Sequence, residues 1–414
     1  MHVILASAGT DGDVFPYIGL GTLLRSRGHH ITLVANEHYQ SQAAELGFSF
    51  RALFTDEETE QVLANPDIWH PIKSALVGAQ WGVRHIGRQY ELLRELASDD
   101  DTVLVASPAV LAARLIQEKF SKPMASLVLQ PWIIPSVIAP PVMPGGLTLP
   151  RWAPGPLGKL YWRTVDAVGD FLISRHLNPI RTSLGLKRVR RFFGWWLSPE
   201  LVIGMFPDWY GPPQADWPPQ LRLAGFPMFD GRPGSGVPAD LLEFCNAGEP
   251  AVAFTFGTGM MHASRFFHEA TKACRILGIR GIFLTKHSHQ LPDPLPSFIR
   301  HCEFAPFQQL FPQCAAVVHH GGVGTTAKAL AAGVPQLIVP LAFDQPDNAY
   351  RLKQLGVGDW VKPNRANSAR LAKILKKLMT DRTQTQCREV AGFFGNDTAL
   401  EVAAQWVEDL SPHF

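Results

Sequence analysis

The chain has 414 residues, more than one ordinary hydrophobic core holds, so its length predicts two domains. With 46% hydrophobic and 18% charged residues, the composition excludes a disordered chain. The formal net charge is only +2, which excludes the basic excess expected of a nucleic-acid-binding protein.

Three sequence features indicate a cytoplasmic protein. The first residues, MHVILASAG, lack a basic segment, and their apolar run is too short for a secretory signal. The most apolar stretch, 126–150, is interrupted by prolines and is therefore not a spanning helix. The five cysteines are scattered without C-x-x-C spacing, which predicts buried thiols rather than disulfides or a zinc site.

In the first half of the chain, short apolar runs alternate with helical patterns. The predicted strands are 2–7, 30–35, 102–107 and 124–129. A helix is predicted over 15–27, ending at Gly28, and a second helical segment follows the third strand. Strands that alternate with helices indicate a parallel sheet covered on both faces.

The second half repeats this scheme. Its predicted strands are 251–257, 280–286, 315–320 and 335–340. The segment 226–240 is rich in Gly and Pro and is the best candidate for a linker. The pattern predicts two doubly wound α/β domains that face each other across a cleft, with ligands bound at the carboxyl ends of the strands. The predicted units are domain 1–225, linker 226–240, domain 241–395 and a helix within 396–414 that packs back on the first domain.

The most informative segment, 304–348, combines glycines with hydrogen-bond donors at the end of a predicted strand. Strand 315–320 runs into His319-His320-Gly321-Gly322, and a helix starts near Gly324. Glycines let the backbone approach a ligand, and free N–H groups at a helix start attract anions. A tight turn with packing histidines would explain the same residues. Because several such loops meet at one sheet edge, an anion site is the favoured interpretation.

The stretch VVHHGGVGTTAKALAAGVPQLIVPLAFDQPDNAYRL resembles the donor-binding signature of the GT-B nucleotide-sugar glycosyltransferases, which include UDP-glycosyltransferases and the sterol and antibiotic glycosyltransferases. The resemblance extends over the whole chain. GDVFPYIGL, DWPPQLRLAGFPMFDG, RGIFLT and LAAGVPQLIVP are similar to the rhamnosyltransferases of rhamnolipid biosynthesis. This resemblance implies a GT-B hexosyltransferase without a cofactor. It also implies dTDP-L-rhamnose as donor and a hydroxyalkanoyl lipid as acceptor.

The resemblance also implies which residues bind the donor. His319 matches the histidine that contacts the diphosphate, and Thr258 matches a hydroxyl residue that faces phosphate. Asp344 and Gln345 match the pair that binds the sugar hydroxyls, although Asp344 is also a candidate helix N-cap. The glycine-rich loop that contacts the diphosphate corresponds to Gly321, Gly322, Gly324 and Thr325.

The nucleoside site departs from the family pattern. Phe304 matches the aromatic residue that stacks on the base, and the backbone of Phe307 matches the group that contacts the base edge. Phe307 replaces the family's glutamine, and Ala327 stands where many plant relatives have a ribose-binding glutamate, counted eight residues after His319.

The loop SAGTDGDVFPYIGLGTLL (7–24) carries two aspartates where a phosphate would be repelled. GDVFP aligns with the GHxxP of plant relatives, whose histidine is the catalytic base, so the resemblance implies that Asp13 is the base. The reaction would invert the anomeric centre. Hydrogen-bond donors of the protein, without a metal ion, would stabilise the leaving diphosphate. The alternative for Asp13 is a helix cap, and Asp11 is interpreted as a turn residue.

Aromatic and Pro-rich loops of the first half predict an apolar acceptor pocket, with Phe15, Trp69 and Trp132 as candidate contacts. Ordinary core packing is the alternative. Segment 186–196 mixes four basic with four aromatic residues, which is compatible with contact to the inner face of the membrane. A solvated segment packed against the sheet is the favoured interpretation.

Three other functions fit the same fold. The first is a UDP-glucose transferase acting on a sterol, polyketide or flavonoid. The second is a nucleotide-sugar epimerase that needs no acceptor. The third is a non-catalytic binding subunit, which would be expected to lose Asp13 or His319, whereas this sequence retains both.

Overall fold

The computed structural model describes residues 1–231, 236–395 and 398–411, and it contains two parallel sheets. The first sheet has seven strands in the order β3-β2-β1-β4-β5-β6-β7. Its strands are β1 His2–Ala6, β2 His30–Asn36, β3 Ser49–Phe54, β4 Thr102–Ala106, β5 Met124–Val128, β6 Leu201–Gly204 and β7 Leu221–Leu223.

The second sheet has six strands in the order β10-β9-β8-β11-β12-β13. These strands are β8 Ala251–Thr255, β9 Gly281–Leu284, β10 Ile299–Cys302, β11 Cys314–His319, β12 Gln336–Ile338 and β13 Gly358–Trp360. All strand pairs in both sheets are parallel, which confirms the predicted architecture of two doubly wound α/β domains. The strands that the sequence did not predict (β3, β6, β7, β10 and β13) all lie toward the sheet edges, and most of them have only three or four residues.

Helices connect the strands and cover both faces of the sheets. Those between the strands of the first sheet are α1 Asp11–Ser26, α2 Gln40–Glu45, α3 Asp56–Ala64, α4 Lys73–Leu96, α5 Leu111–Phe120, α6 Gly155–Gly169, α7 Arg175–Ser183 and α8 Phe192–Trp195. A π-helical turn, Asp170–Ser174, joins α6 to α7. The remaining helices are α9 Ala239–Asn246, α10 Ser264–Leu277, α11 Phe307–Leu310, α12 Val323–Ala331, α13 Gln345–Gln354, α14 Ser368–Leu378, α15 Asp381–Ala391 and α16 Ala399–Glu408.

The last helix, α16, packs on the first sheet's domain. Ala403, Ala404 and Val407 are buried in the same core as α1. Glu408 accepts hydrogen bonds from Arg27 at 2.8 Å and pairs with His29 at 2.9 Å. Residues 232–235 of the predicted linker, and residues 396–397 and 412–414 of the predicted terminal segment, lie outside the described residues.

Two further features concern the chain as a whole. Across the described ranges, no helix combines the length and apolar character needed to cross a bilayer. The five cysteines are free thiols, four of them buried.

Candidate active site

The first turn of α1 carries the two aspartates of the glycine-rich loop. The helix begins at Asp11, four residues before the predicted start at Phe15, because Thr10 and Asp13 close its first turn. Oδ2 of Asp13 accepts hydrogen bonds from Thr10 N at 2.9 Å and Thr10 Oγ1 at 3.3 Å. Asp13 is therefore part of a capping arrangement, while its Oδ1 bonds to no described residue and is available to a ligand. Asp11 accepts a hydrogen bond from the Tyr39 hydroxyl at 2.9 Å.

The environment of Asp13 changes its proton affinity. Burial raises the pKa of Asp13 to about 6, because surrounding protein atoms replace water that would solvate the charged form. The hydrogen bonds from Thr10 lower the pKa and the charge of Asp11 raises it, but both effects are smaller than that of burial. A carboxylate with this pKa is still largely ionised at pH 7 and accepts a proton more readily than an ordinary aspartate.

His319, the last residue of β11, is fully buried, and both of its ring nitrogens are used inside the domain. Nε2 donates to Oε1 of Gln336 on β12 at 2.9 Å, and Nδ1 accepts from Gly321 N at 3.1 Å. Burial, with a smaller contribution from the neighbouring His320, lowers the pKa of His319 to about 3, so the ring is neutral. This geometry leaves His319 no free N–H for a phosphate, which is at odds with its predicted role.

His320 lies in the turn between β11 and α12, between two glycine-rich loops. A Cβ built on Gly257 would lie 3.0 Å from its Cε1, and one built on Gly322 would lie 2.6 Å from its Nε2. Its Nδ1 is buried and has no hydrogen-bond partner among the described residues. Burial lowers the pKa of His320 to about 4. The His320 ring is half-buried and neutral, and it lies beside two loops rich in hydrogen-bond donors. Its unused ring nitrogen is suited to bind an anion.

Ala327 stands at the position of the ribose-binding glutamate, and Lys328 follows it. Ala327 is 3% exposed and packs in the core that contains β12. Lys328 Nζ lies 2.9 Å from Oδ1 of Asp230, in the segment between the two sheets. Neither residue carries a carboxylate, so the ribose-binding glutamate of the plant relatives has no counterpart at this position.

The predicted base-binding residues lie between β10 and α11. Phe307 is the first residue of α11, and its ring stacks on Phe311 with centroids 4.4 Å apart. Lys328 Nζ lies 5.8 Å from the centre of the Phe307 ring. Asp230 also accepts a hydrogen bond from Gln308 N at 3.0 Å, so the segment between the sheets reaches this corner. Phe304 is half-buried, and its carbonyl accepts a hydrogen bond from Cys302 Sγ at 3.0 Å.

The predicted diphosphate loop leads directly into α12. Gly321 has a φ of +98°, and a Cβ there would lie 2.8 Å from Ile338, so a side chain at this position would be both strained and obstructed. Gly322 is the N-cap of α12, and Gly324 and Thr325 lie in its first turn. The N–H groups of that turn and the helix dipole form an anion-binding arrangement. Thr258 lies three residues after the end of β8 and follows Gly257, which approaches His320 of this loop.

Asp344 precedes α13 but does not use its side chain to cap the helix. Its Oδ2 accepts a hydrogen bond from Asn348 Nδ2 at 2.7 Å. The same nitrogen donates to Gly321 O at 2.8 Å, and Asn348 Oδ1 accepts from the Tyr210 hydroxyl of the other domain at 2.7 Å. Asn348, which the sequence did not single out, therefore links the predicted sugar-binding residue to the predicted diphosphate loop.

Gln345, the partner of Asp344 in the predicted sugar site, is 3% exposed. Its Oε1 accepts hydrogen bonds from Leu341 N at 2.7 Å and Ala342 N at 3.1 Å, which closes the turn 341–345. Only its amide nitrogen is left for a ligand. Phe343 in this turn has a φ of +55°, a strained value for a residue with a side chain.

The loops of the two domains meet at the cleft. A Cβ built on Gly324 would lie 3.9 Å from the Cα of Gly12, so the first turns of α12 and α1 approach each other directly. A Cβ on Gly259 would lie 2.9 Å from Cγ2 of Thr10. Burial raises the pKa of Asp344 to about 7, and the charge of Asp13 contributes to this shift from across the cleft. The structure thus brings the predicted base next to the predicted donor loops.

The three predicted acceptor contacts lie in different environments. Phe15 packs edge-on against Tyr39 and Phe229 and covers Gly231, so it supports the segment between the sheets and does not line an open pocket. Trp69 packs against the core of the second domain and lies next to Gly259. Trp69 and Trp132 each have a buried Nε1 without a partner among the described residues, so each could still donate to a ligand.

The aromatic residues of 186–196 turn inward. Phe192 is 2% exposed, and Phe193, Trp195 and Trp196 pack against the core beneath α4 and α5. The sequence interpretation of this segment as packed against the domain therefore agrees with the positions of its side chains. In the described part of the chain, no group of three or more His, Cys, Asp or Glu residues is arranged to hold a metal ion.

Comparison with known proteins finds a family match in each half of the chain. Residues 3–139 match the family model for the glycosyltransferase family 28 N-terminal domain. Residues 281–407 match the model for the C-terminal domain of proteins similar to erythromycin biosynthesis protein CIII. The two matched regions contain Asp13 and His320, respectively.

Two curated relatives illustrate the range of similar proteins. The chain is 29% identical to the O-mycaminosyltylonolide 6-deoxyallosyltransferase of Streptomyces fradiae, with 99% of this chain and 98% of that protein covered. It is 26% identical to the sterol 3-beta-glucosyltransferase UGT80A2 of Arabidopsis thaliana, with 86% of this chain and 57% of that protein covered.

Solved structures agree with the fold. The calicheamicin glycosyltransferase CalG4 matches with a TM-score of 0.72 and 19% identity, covering 99% of this chain and 98% of that one. The glycosyltransferase VinC in complex with dTDP matches with a TM-score of 0.69 and 17% identity, covering both chains completely. At these identities the similarity establishes the GT-B fold alone.

Proposed function

Given that the chain belongs to the GT-B glycosyltransferases of the family 28 and erythromycin-CIII-like type, we propose that it transfers L-rhamnose from dTDP-L-rhamnose to the hydroxyl of an apolar acceptor. A hydroxyalkanoyl lipid is the acceptor that best fits the motifs it shares with the rhamnosyltransferases of rhamnolipid biosynthesis. The reaction inverts the anomeric carbon and uses no metal ion.

One observation carries the proposal: the first turn of α1, with Asp13, lies against the first turn of α12 across the cleft. A hydroxyl bound beside Asp13 would therefore be close to a sugar whose diphosphate sits on α12. This arrangement suits a direct displacement, in which nucleophile and leaving group stand on opposite sides of one carbon.

In the proposed reaction Asp13 removes the proton of the acceptor hydroxyl. Thr10 holds Oδ2 of Asp13, which leaves Oδ1 to take the proton. As the acceptor oxygen forms its bond to the anomeric carbon, the bond from that carbon to the diphosphate oxygen breaks, and the electron pair leaves with the nucleoside diphosphate. General base catalysis of this kind contributes about 10²–10⁴-fold.

The leaving diphosphate needs donors that stabilise its charge. We assign this role to His320 in place of His319, together with the N–H groups at the start of α12 and the Thr258 hydroxyl. His320 has an unpaired buried Nδ1, whereas His319 has none to offer. Oriented donors in a partly desolvated site stabilise developing charge without reorganisation.

The nucleoside preference follows from what the ribose position lacks. Neither Ala327 nor Lys328 carries a carboxylate that could accept a hydrogen bond from the ribose. Binding therefore gains little from a 2′-hydroxyl on the ribose. A thymidine nucleotide is thus tolerated, and its methyl group would pack near Phe304 or Phe307. The deoxysugar in the name of the Streptomyces fradiae relative supports a 6-deoxyhexose donor.

Competition binding of dTDP and UDP, followed by turnover with dTDP-L-rhamnose and UDP-glucose on a panel of hydroxylated acceptors, tests the proposal. We expect tighter binding of dTDP and transfer of rhamnose to an apolar hydroxyl, with activity retained in the presence of a chelator. Clearly tighter binding of UDP would instead support a UDP-glucose transferase acting on a sterol or polyketide, the alternative to which the Arabidopsis relative points. Conversion of the donor in the absence of any acceptor would indicate an epimerase.

A further inference from the structure

The first domain exposes an apolar surface that the reaction does not require. Thirteen large apolar side chains are exposed among the described residues, and ten of them fall within 72–171. Four of these, Leu157, Leu160, Val168 and Phe171, are 51–63% exposed and belong to α6 and the π-helical turn after it. At 3.6 residues per turn they fall within an arc of roughly 80°. They form a stripe on the outer side of the helix, here called the α6 face.

The neighbouring loop extends this stripe into a wider surface. Trp152 is 81% exposed, just before α6, and Leu147 is 60% exposed. The Tyr161 hydroxyl of α6 donates to Leu147 O at 2.8 Å, which places that loop against the helix. A Cβ on Gly145 would lie 2.7 Å from Ile72, itself 55% exposed, so the start of α4 adjoins the same surface. Contiguous exposed apolar surface of this kind marks an interaction site.

The chain segment that contains the α6 face is basic. Residues 136–199 contain nine Lys or Arg against two Asp, a formal charge of +7, whereas the whole chain carries +2. Lys159 and Arg163 lie on α6 and form no ion pair with any described residue. The two carboxylates, Asp166 and Asp170, accept hydrogen bonds from the backbone at 191–193 and so face the domain.

A basic groove borders the stripe at its carboxyl end. It has a volume of about 450 Å³ and is lined by Gln80, Val83, Arg84, Arg175 and His176. The Arg175 guanidinium lies 4.3 Å from the centre of the Phe171 ring, so the groove is continuous with the apolar stripe. Within the described residues neither Arg84 nor Arg175 has a carboxylate partner.

We propose that the α6 face binds the surface of an anionic lipid bilayer, with the apolar stripe in the interface and the basic groove on lipid phosphates. Apolar residues flanked by unpaired cations are the combination that favours such a surface. A second copy of the chain fits less well, because a two-fold interface would place one positively charged face against another. This surface is separate from 186–196, whose aromatic side chains are turned inward, and the proposal does not depend on the identity of donor or acceptor.

Co-sedimentation with vesicles tests the proposal on the full chain. Vesicles of phosphatidylcholine alone are compared with vesicles containing about one third phosphatidylglycerol, at low and high salt. We expect binding to the anionic vesicles only, weakened by salt. The double variant Leu160→Gln with Phe171→Gln should bind at least about tenfold more weakly. Replacing Arg84 and Arg175 by Gln should lower binding about fivefold for each charge.

Ile276→Gln is the matched control, since Ile276 is 59% exposed on α10 of the other domain. It should bind vesicles like the wild type. Affinity for dTDP, measured in parallel, checks that each variant is folded and keeps this result separate from the proposed reaction. Absence of binding to anionic vesicles, or unchanged binding by the Leu160/Phe171 variant, would overturn the proposal. So would a finding that these substitutions only abolish self-association in sedimentation velocity, or only the binding of an acidic protein.

Discussion

Asp13 and Asp344 belong to different domains, yet the charge of Asp13 adds to the effect of burial in raising the pKa of Asp344 to about 7. The two carboxylates therefore interact across the cleft. Asp13 follows β1 and Asp344 follows β12, so each lies at the carboxyl edge of its parallel sheet. Protonation of either residue relieves the repulsion, which links the chemistry of the site to pH and to the contact between domains.

Asp13→Asn should lower kcat by about 100-fold or more, because the amide cannot remove a proton from the acceptor. Affinity for dTDP should stay near that of the wild type. Asn can still accept the hydrogen bond from Thr10 N, so the cap of α1 is retained and the melting temperature should change little. Steady-state kinetics, calorimetry with dTDP and thermal unfolding measure the three quantities.

Asp11→Asn is the control for this change, since Asp11 lies two residues earlier in the same turn and bonds to the Tyr39 hydroxyl. It should leave kcat within a few-fold of the wild type. If Asp13→Asn kept most of the activity, Asp13 would be only a residue that closes the first turn of α1.

The two raised pKa values make stability depend on pH. In the unfolded chain Asp titrates near 4, but the folded pKa values are about 6 and about 7. The folded state thus binds protons more tightly, and the free energy of unfolding should fall as pH rises from about 4 to about 7. The limiting slope is about 1.4 kcal/mol per pH unit for each group.

Asp344→Asn should flatten this decrease, as denaturant unfolding between about pH 4.5 and about pH 7.5 would measure. A stability profile identical to that of the wild type would mean that Asp344 is solvated and ionised throughout this range.

Replacing the two adjacent histidines should have different effects. His320→Ala should weaken dTDP binding by about 1.5–3 kcal/mol, the range for a hydrogen bond to a charged group, with little loss of stability. His319→Ala should mainly lower stability, by about 2–4 kcal/mol, because it leaves Gln336 Oε1 unpaired and opens a cavity. Calorimetry and chemical unfolding on both variants distinguish these effects. Weakened dTDP binding by a fully stable His319→Ala protein would restore the assignment made from the sequence.

Asn348→Ala should weaken binding of the nucleotide sugar more than binding of the free nucleoside diphosphate. Its amide nitrogen orients Asp344, the predicted sugar contact, and also holds Gly321 O. Tyr210→Phe removes only the hydrogen bond to Asn348 Oδ1 and should cost about 1 kcal/mol of stability without changing sugar selectivity. Equal losses for the sugar nucleotide and the diphosphate would show that Asn348 does not act through Asp344.

The sequence alone predicts the architecture and the edge of each sheet where the site lies. Long apolar runs such as those of β1, β2, β8 and β11 are buried on both faces, and this pattern does not depend on the rest of the fold. The loops that lead to Asp13 and Gly321 follow such strands, so the sequence also predicts where the candidate base and the donor loop lie. Short edge strands such as β13 carry too little of this pattern to be recognised.

Only the tertiary structure shows the surroundings of each of two adjacent or similar residues. His319 and His320 are indistinguishable as residue types. The alternation of side chains along β11, and the turn at Gly321, direct one ring to Gln336 on β12 and the other between the glycine-rich loops. Leu160 and Phe171 are likewise ordinary core residues in the sequence. They are exposed only because the opposite face of α6 packs on the domain, and exposure is a property of the folded surface.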